Sequence, residues 1–145
     1  MTDSALLHVE RELARVLARY ARLADEREWS AIDEVFIHDA SADYGGLQLP
    51  DRNAIVAMLQ RALGNCGPSQ HLLGNLTVDV VDGEVTSRVT VRAAHRSSVG
   101  PGGESYECMG EYHDRWIRTA TGWRIAHRQM VVMLEFGHRR VLTSA

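Results

Sequence analysis

Apolar residues recur at helical spacing in the first part of the chain and at every second position in the later part. From about Asp3 to Ala24, Leu6, Leu13, Val16, Leu17, Tyr20 and Ala24 share one face. That spacing predicts an amphipathic helix with an Arg-rich outer face, capped by Asp3 or Ser4. Trp29, Ile32, Val35 and Phe36 repeat the pattern over a shorter second helix. Ala40, Ala42 and Tyr44 then alternate with Asp39, Ser41 and Asp43, which predicts a short strand. Gly45 to Pro50 reads as a loop, and Asp51 as the cap of a third helix with inner residues Ile55, Met58, Leu59, Ala62 and Leu63. Gly64-Asn65 ends that helix, and Cys66-Gly67-Pro68 forbids its continuation.

From there the period is two. Ser69 to Val81 reads as a strand, with Asp82-Gly83 as its hairpin turn. Val85, Ser87, Val89, Val91, Ala93 and His95 form the apolar side of the next strand. Val99 to Gly103 is a looser turn, Glu104 to Arg118 a strand, Ala120-Thr121-Gly122 a turn, and Trp123 to Phe136 the last strand. Residues 137–145 read as a polar tail. Helices followed by long antiparallel strands predict an α+β fold, with three N-terminal helices packed in the concave face of a curved, mainly antiparallel sheet. Long strands that wrap helices need bulges, which weakens arguments from parity about where a side chain points.

Composition narrows the chemistry. The chain has 145 residues, which suits a single domain, 1–145, able to bury roughly 70% of its unfolded surface. The net charge of −3 with mixed signs argues against nucleic-acid and anionic-membrane partners. All 16 basic residues are Arg, so Schiff-base chemistry, pyridoxal phosphate attachment and a phosphate-binding loop, which need a lysine amine, are excluded. No G-x-S-x-G elbow, H-E-x-x-H helix or dinucleotide glycine fingerprint is present. Cys66 and Cys108 read as reduced thiols, and a cytoplasmic location is expected.

Candidate chemistry gathers in the stretch Tyr20 to Gly46, where Tyr20, Asp25, Asp43 and Tyr44 flank apolar positions. The later strands supply His71 and His95. A neutral imidazole is a good base near pH 7 when a carboxylate fixes its tautomer, which makes Asp25 and His71 a candidate dyad. The plainer alternative has Asp25 capping the second helix and His71 simply hydrogen-bonded in its strand. Tyr20 belongs either to the core stripe or to a pocket. Between the neighbours Asp43 and Tyr44 only one points inward; Ala40 and Ala42 favour Tyr44, leaving Asp43 as a solvated residue or reserve base. His71, His95 and Asp25 nominally make a two-histidine, one-carboxylate iron set, but no local ligand pair accompanies them, and no metal is expected.

The order Asp25-x-x-x-Trp29, Asp43-Tyr44, Gln70-His71-x-x-Gly74-Asn75, His95, Gly122-Trp123-Arg124-Ile125 and Arg128 resembles the SnoaL-like (NTF2-like) superfamily over about Ser4 to Leu134. Within it the chain is most similar to the scytalone dehydratase and hexachlorocyclohexane dehydrochlorinase group. The resemblance implies a conical fold, no cofactor, and an Asp25–His71 dyad. It implies further that Tyr20 stands where ketosteroid isomerase has its oxyanion tyrosine and the dehydrochlorinase a lysine. Asp43 falls at the isomerase's proton-shuttling Asp. Tyr44 falls at a water-orienting Tyr of the dehydratase and His95 at its second histidine. Tyr112 takes the place of its pocket asparagine, and Ala24 replaces one of its tyrosines. Arg128 matches the dehydrochlorinase's Arg, with a surface salt bridge as the alternative. Trp29 completes the pocket set.

The reading that follows is a cofactor-independent lyase or isomerase acting on an apolar cyclic small molecule, by dehydration or a double-bond shift. Two alternatives stand beside it: a non-catalytic ligand-binding module, and a beta-type subunit of a ring-hydroxylating dioxygenase. A homodimer or homotrimer is expected, because Trp and Met on the sheet's far face would be costly to expose.

Overall fold

A computed structural model describes residues 1–100 and 102–143. Helix α1 spans Asp3–Glu26 and is capped one residue earlier than the sequence suggests: the Thr2 hydroxyl accepts the Ala5 N–H at 3.2 Å. Its buried stripe runs Val9, Leu13, Leu17, Tyr20, Leu23 and Ala24. The second predicted helix is a 3-10 helix of one face only, Trp29–Glu34. It stops short of Phe36 because the run Val35-Phe36-Ile37 is recruited by the sheet, where Phe36 opens strand β1, Phe36–Tyr44. Two long helices and this short one therefore stand in place of three comparable N-terminal helices.

The predicted loop at 45–50 contains a strand, β2 (Leu47–Leu49), antiparallel to β1. Gly45 and Gly46 both have positive φ, 64° and 96°, as a two-residue hairpin loop requires. The Asp43 carboxylate accepts the Gly46 N–H at 2.7 Å and the Gln48 amide at 2.9 Å, so Asp43 stiffens this turn. Helix α2, Arg52–Gly64, is capped by Asp51, whose carboxylate accepts the Ala54 N–H at 2.8 Å, and buries Ile55, Leu59 and Leu63.

Strand β3 begins at Cys66, ahead of the expected Ser69, and runs to Val81. Pro68 is tolerated inside it because β3 lies at the sheet edge, where a missing N–H costs no ladder bond. β4 (Glu84–Ser97), β5 (Ser105–Thr119) and β6 (Gly122–Gly137) complete a six-stranded sheet of order β2-β1-β6-β5-β4-β3. The pairing of β1 with β6 is parallel and the others are antiparallel. The turn between β4 and β5 includes Pro101, which lies outside the described residues.

The inner face of the sheet carries Val85, Val89, Val91, Ala93, Tyr106, Tyr112 and Trp116 and packs on α1 and α2. Trp116 belongs to the core, where its indole N–H donates to Ser87 Oγ at 2.8 Å. A register shift between Met109 and Gly110 inserts one residue into β6 and reverses its parity. Met130 stays inward, whereas Met133 and Leu134 are exposed together with Phe136.

The residues after Gly137 are not a polar tail. Arg139–Leu142 form a 3-10 helix that buries Val141 at 1% exposure, and Asn65 Nδ2 donates to the Leu142 carbonyl at 3.2 Å. Ser144 and Ala145, the end of that expected tail, lie outside the described residues. No helix among the described residues is long and apolar enough to cross a membrane.

Candidate active site

The C-terminus of α1 is held against the start of β3 by one side chain. Arg27 adopts a left-handed backbone, φ 60°, that ends the helix. Its guanidinium donates to the Ala24 carbonyl at 2.9 Å, the Ser69 hydroxyl at 2.8 Å and the Gly67 carbonyl at 2.9 Å. This clamp brings the last turn of α1, with Asp25, beside the inward-facing residues Ser69 and His71.

Asp25 is then saturated with donors. His71 Nδ1 lies 2.7 Å from Oδ1, the His71 backbone N–H donates to Oδ2 at 2.8 Å, and Ser69 Oγ donates to Oδ1 at 3.0 Å. Partial burial alone would raise the pKa of Asp25. The hydrogen bonds from the ring and backbone of His71 and from Ser69 outweigh it and hold the carboxyl below its ordinary 3.8. An ionised Asp25 makes Nδ1 the protonated nitrogen, so the lone pair of His71 sits on Nε2.

His71, unlike Asp25, lines a cavity of about 550 Å³ between the sheet, α2 and the C-terminal 3-10 helix. Asp25 borders instead a smaller groove of about 420 Å³ between α1 and β3, which His71 also reaches. The dyad therefore spans the wall between groove and cavity, with the carboxylate on the groove side. The cavity is the better reaction chamber, because its floor is buried and carries the other candidate groups. Tyr20 (1% exposed), Tyr112 (3%) and His95 (7%) all line it. The rings of Tyr20 and His95 stand edge-on to His71, at 6.1 Å and 5.9 Å between centroids.

Tyr44 also lines the cavity, and its hydroxyl is 3.4 Å from that of Tyr20. Burial, the largest influence on each, pushes the phenols of Tyr20, Tyr44 and Tyr112 upward, so all three are neutral donors at ordinary pH. Beneath them lies Arg128, wholly buried and paired through two 2.8 Å bonds with the equally buried Asp114. Its guanidinium sits 3.8 Å from the centroid of Tyr112 and 4.4 Å from that of Tyr20. Arg128 was expected either to touch substrate or to bridge on the sheet surface. Its salt bridge is buried rather than on the sheet surface, and its side chain is not among those that line the cavity. Asp43, occupied in the β1–β2 turn, and Trp29, half-buried on the 3-10 helix, are not among the cavity-lining residues either.

His95 Nδ1 is 3.0 Å from the Tyr106 carbonyl, and the two rings are stacked. Burial lowers its pKa from the ordinary 6.5, ahead of the opposing effect of that carbonyl. A buried neutral His binds fewer protons than its unfolded counterpart. Its contribution to stability is therefore whole above pH 6.5 and shrinks as pH falls through that value. Thermal melting from pH 7.5 to 5 should show a fall in midpoint that is shallower in His95→Asn, which keeps a donor for the Tyr106 carbonyl. Parallel curves for both proteins would refute this.

Among the described residues no group of three or more His, Cys, Asp and Glu is placed to hold a metal ion. Cys66 and Cys108 are both unpaired and buried. Sequence reasoning missed Arg27, Ser69 and Asp114, and each is visible only through a long-range contact.

The SnoaL-like domain model matches residues 5–129. The chain belongs to the SnoaL-like family. Within reach of that family, the uncharacterized protein Rv2910c of Mycobacterium tuberculosis is 33% identical over 119 residues, covering 81% of this chain and 80% of that one. A scytalone dehydratase-like protein of Novosphingobium aromaticivorans superposes with a TM-score of 0.83 at 21% identity, covering 95% of this chain and 92% of that one. A type 2 hexachlorocyclohexane dehydrochlorinase superposes with a TM-score of 0.81 at 14% identity, covering 94% and 93%. At such identities the two structures show that this SnoaL-like chain shares their fold.

Proposed function

We propose that this SnoaL-like protein is a cofactor-independent lyase or isomerase that removes a proton from an apolar cyclic small molecule. The observation that carries the reading is the 2.7 Å Asp25–His71 contact, with the far side of the imidazole left for the cavity. His71 Nε2 takes a proton from the carbon next to a carbonyl. The C–H electrons move into the new carbon–carbon bond and onto the carbonyl oxygen, which becomes an enolate. Tyr20 and Tyr44 donate hydrogen bonds to that oxygen at the buried floor of the site. The imidazolium, stabilised by Asp25, then returns its proton. Delivered to a hydroxyl at the β carbon, it expels water; delivered to the γ carbon of an unsaturated substrate, it completes a double-bond shift. Arg128 acts from behind the tyrosines, as a fixed positive charge that favours negative charge on the oxygen they hold.

Proton transfer of this kind accounts for about 10²–10⁴-fold, and each oxyanion donor for about 10²–10³-fold. The test is deuterium exchange into the α carbon of a panel of cyclic ketones, including 1-tetralone and 2-tetralone, in heavy water by NMR. The protein should accelerate washing-in for at least one member well beyond buffer. No acceleration across the panel would sink the proton-abstraction reading.

The same proposal includes self-association. Leu72, Leu134 and Phe136 are exposed, at 67%, 57% and 58%, and all lie on strands of the sheet. A homo-oligomer would cover them. Sedimentation of the protein at about 10 µM should show a dimer or trimer, whereas a monomer would overturn this part.

A further inference from the structure

The cavity has a charge pattern that proton abstraction alone does not require. Its lining includes two arginines, Arg61 and Arg139, two histidines and no carboxylate, in a chain whose net charge is −3. Both arginines are exposed, whereas Tyr20, His95 and Tyr112 are buried. The cations therefore stand at the rim and the acid–base groups at the floor.

The two arginines are not equivalent. Arg139 is engaged by Glu135, which also accepts the Tyr106 hydroxyl at 2.6 Å. Arg61, in the last turn of α2, has no ion-pair or hydrogen-bond partner among the described residues. The lining also includes Asn65, whose amide donates to the Leu142 carbonyl, and Thr143, whose hydroxyl donates to the Arg140 carbonyl, which leaves Arg61 as the unengaged polar side chain of the rim. Between rim and floor the wall is apolar, with Met58, Leu59, Leu63, Met130, Val132 and Leu142.

We infer that the natural substrate carries a carboxylate, which Arg61 binds at the rim while the apolar body reaches down to His71. A guanidinium presents two parallel donors that match a carboxylate, and the partly enclosed rim strengthens the attraction over that in open water. The inference rests on the proposed site, since it names the substrate class that the same cavity takes. It requires no turnover to be tested.

Titration calorimetry with 2-naphthoate and its neutral counterpart 2-naphthamide separates charge from shape. The protein should bind the acid about 10-fold more tightly than the amide. The preference should shrink as sodium chloride is raised and vanish in Arg61→Gln, whose amide affinity and melting temperature stay unchanged. Arg139→Gln should narrow the preference without abolishing it. Equal binding of the two probes, binding of neither, or a preference that survives in Arg61→Gln overturns the inference. His71→Ala should keep the preference for the acid. A protein that prefers 2-naphthoate but whose ketone exchange survives loss of His71 fails only the catalytic reading. One that exchanges through His71 but treats the probes alike fails only this one.

Discussion

His71→Ala is expected to lower enzyme-dependent α-proton exchange by about 10²–10⁴-fold, with little change in ligand affinity. The imidazole is the base at the cavity wall that a carboxylate holds, while Asp25 is on the other side of it and already accepts three hydrogen bonds. Removing the ring leaves His95 as the other imidazole of the cavity, 5.9 Å away between centroids, and its ring nitrogen is held by the Tyr106 carbonyl rather than by a carboxylate that would stabilise an imidazolium. Asp25→Asn should be comparably damaging for a different reason. The amide can donate to Nδ1 where the carboxylate accepts, which drives the ring proton to Nε2 and leaves the base in the wrong tautomer. The ring stays in place in Asp25→Asn and Arg61 is untouched in either variant, so the preference for 2-naphthoate over its amide should be retained in both. Exchange rates unchanged from the parent protein in His71→Ala would exclude the dyad as the working unit.

The dyad also has an acid limit. Asp25 has a folded pKa below its ordinary 3.8, so its contribution to stability is whole above that value and is lost as pH falls through the lower folded one. It is lost at pH below 3.8, whereas the contribution of His95 begins to shrink already at 6.5.

The largest expected change in stability comes from a residue that touches no ligand. Asp114→Ala should cost about 3–5 kcal/mol, because it leaves Arg128 charged and buried without its counterion. Against a total stability of about 5–15 kcal/mol that is a large share, and it corresponds to a fall in melting midpoint of about 10 °C or more. The cost of a buried pair lies in its desolvation, so replacing both partners by apolar residues should recover most of the loss. Asp114→Leu combined with Arg128→Met is expected to melt close to the parent protein. That double variant would fold but lack the charge beneath Tyr20 and Tyr112, so its exchange rate should remain low while its stability returns. A single Asp114→Ala variant as stable as the parent would show that the pair is not desolvated.

Much of the fold is legible without coordinates. The stripe Leu13, Leu17, Tyr20 and Ala24 specifies α1 because each fourth or third residue returns to the same face. Asp51 announces α2 because an ionised side chain can take up orphan N–H groups there. Asp82-Gly83 specifies the β3–β4 hairpin, and both residues do adopt positive φ, 51° and 80°. The alternation from Val85 to His95 marks the inner face of β4 correctly at every member. Ala40, Ala42 and Tyr44 point inward for the same reason, and with them Asp43 outward.

Other features had no local signature. The Phe36 segment has apolar spacing that suits a helix, and only the open edge of β6 made it a strand. The bulge at Met109–Gly110 turned Met133 and Leu134 outward against the parity of their neighbours. Val141 looked like part of a polar tail, yet one buried side chain and an amide from Asn65 anchor that segment.

The sequence by itself determined which side chains were available: two histidines and an aspartate of the right types, tyrosines in the core stripe, no lysine, and arginine for every permanent side-chain cation. Local periodicity determined which face of each element they occupy, because helix and strand geometry repeat over a few residues. Tertiary structure alone decided which of them meet. Asp25 and His71 are 46 residues apart, and Asp114 and Arg128 lie on neighbouring strands whose register no local pattern specifies. Those meetings follow from chain packing, through the Arg27 clamp for the first pair and the β5–β6 register for the second.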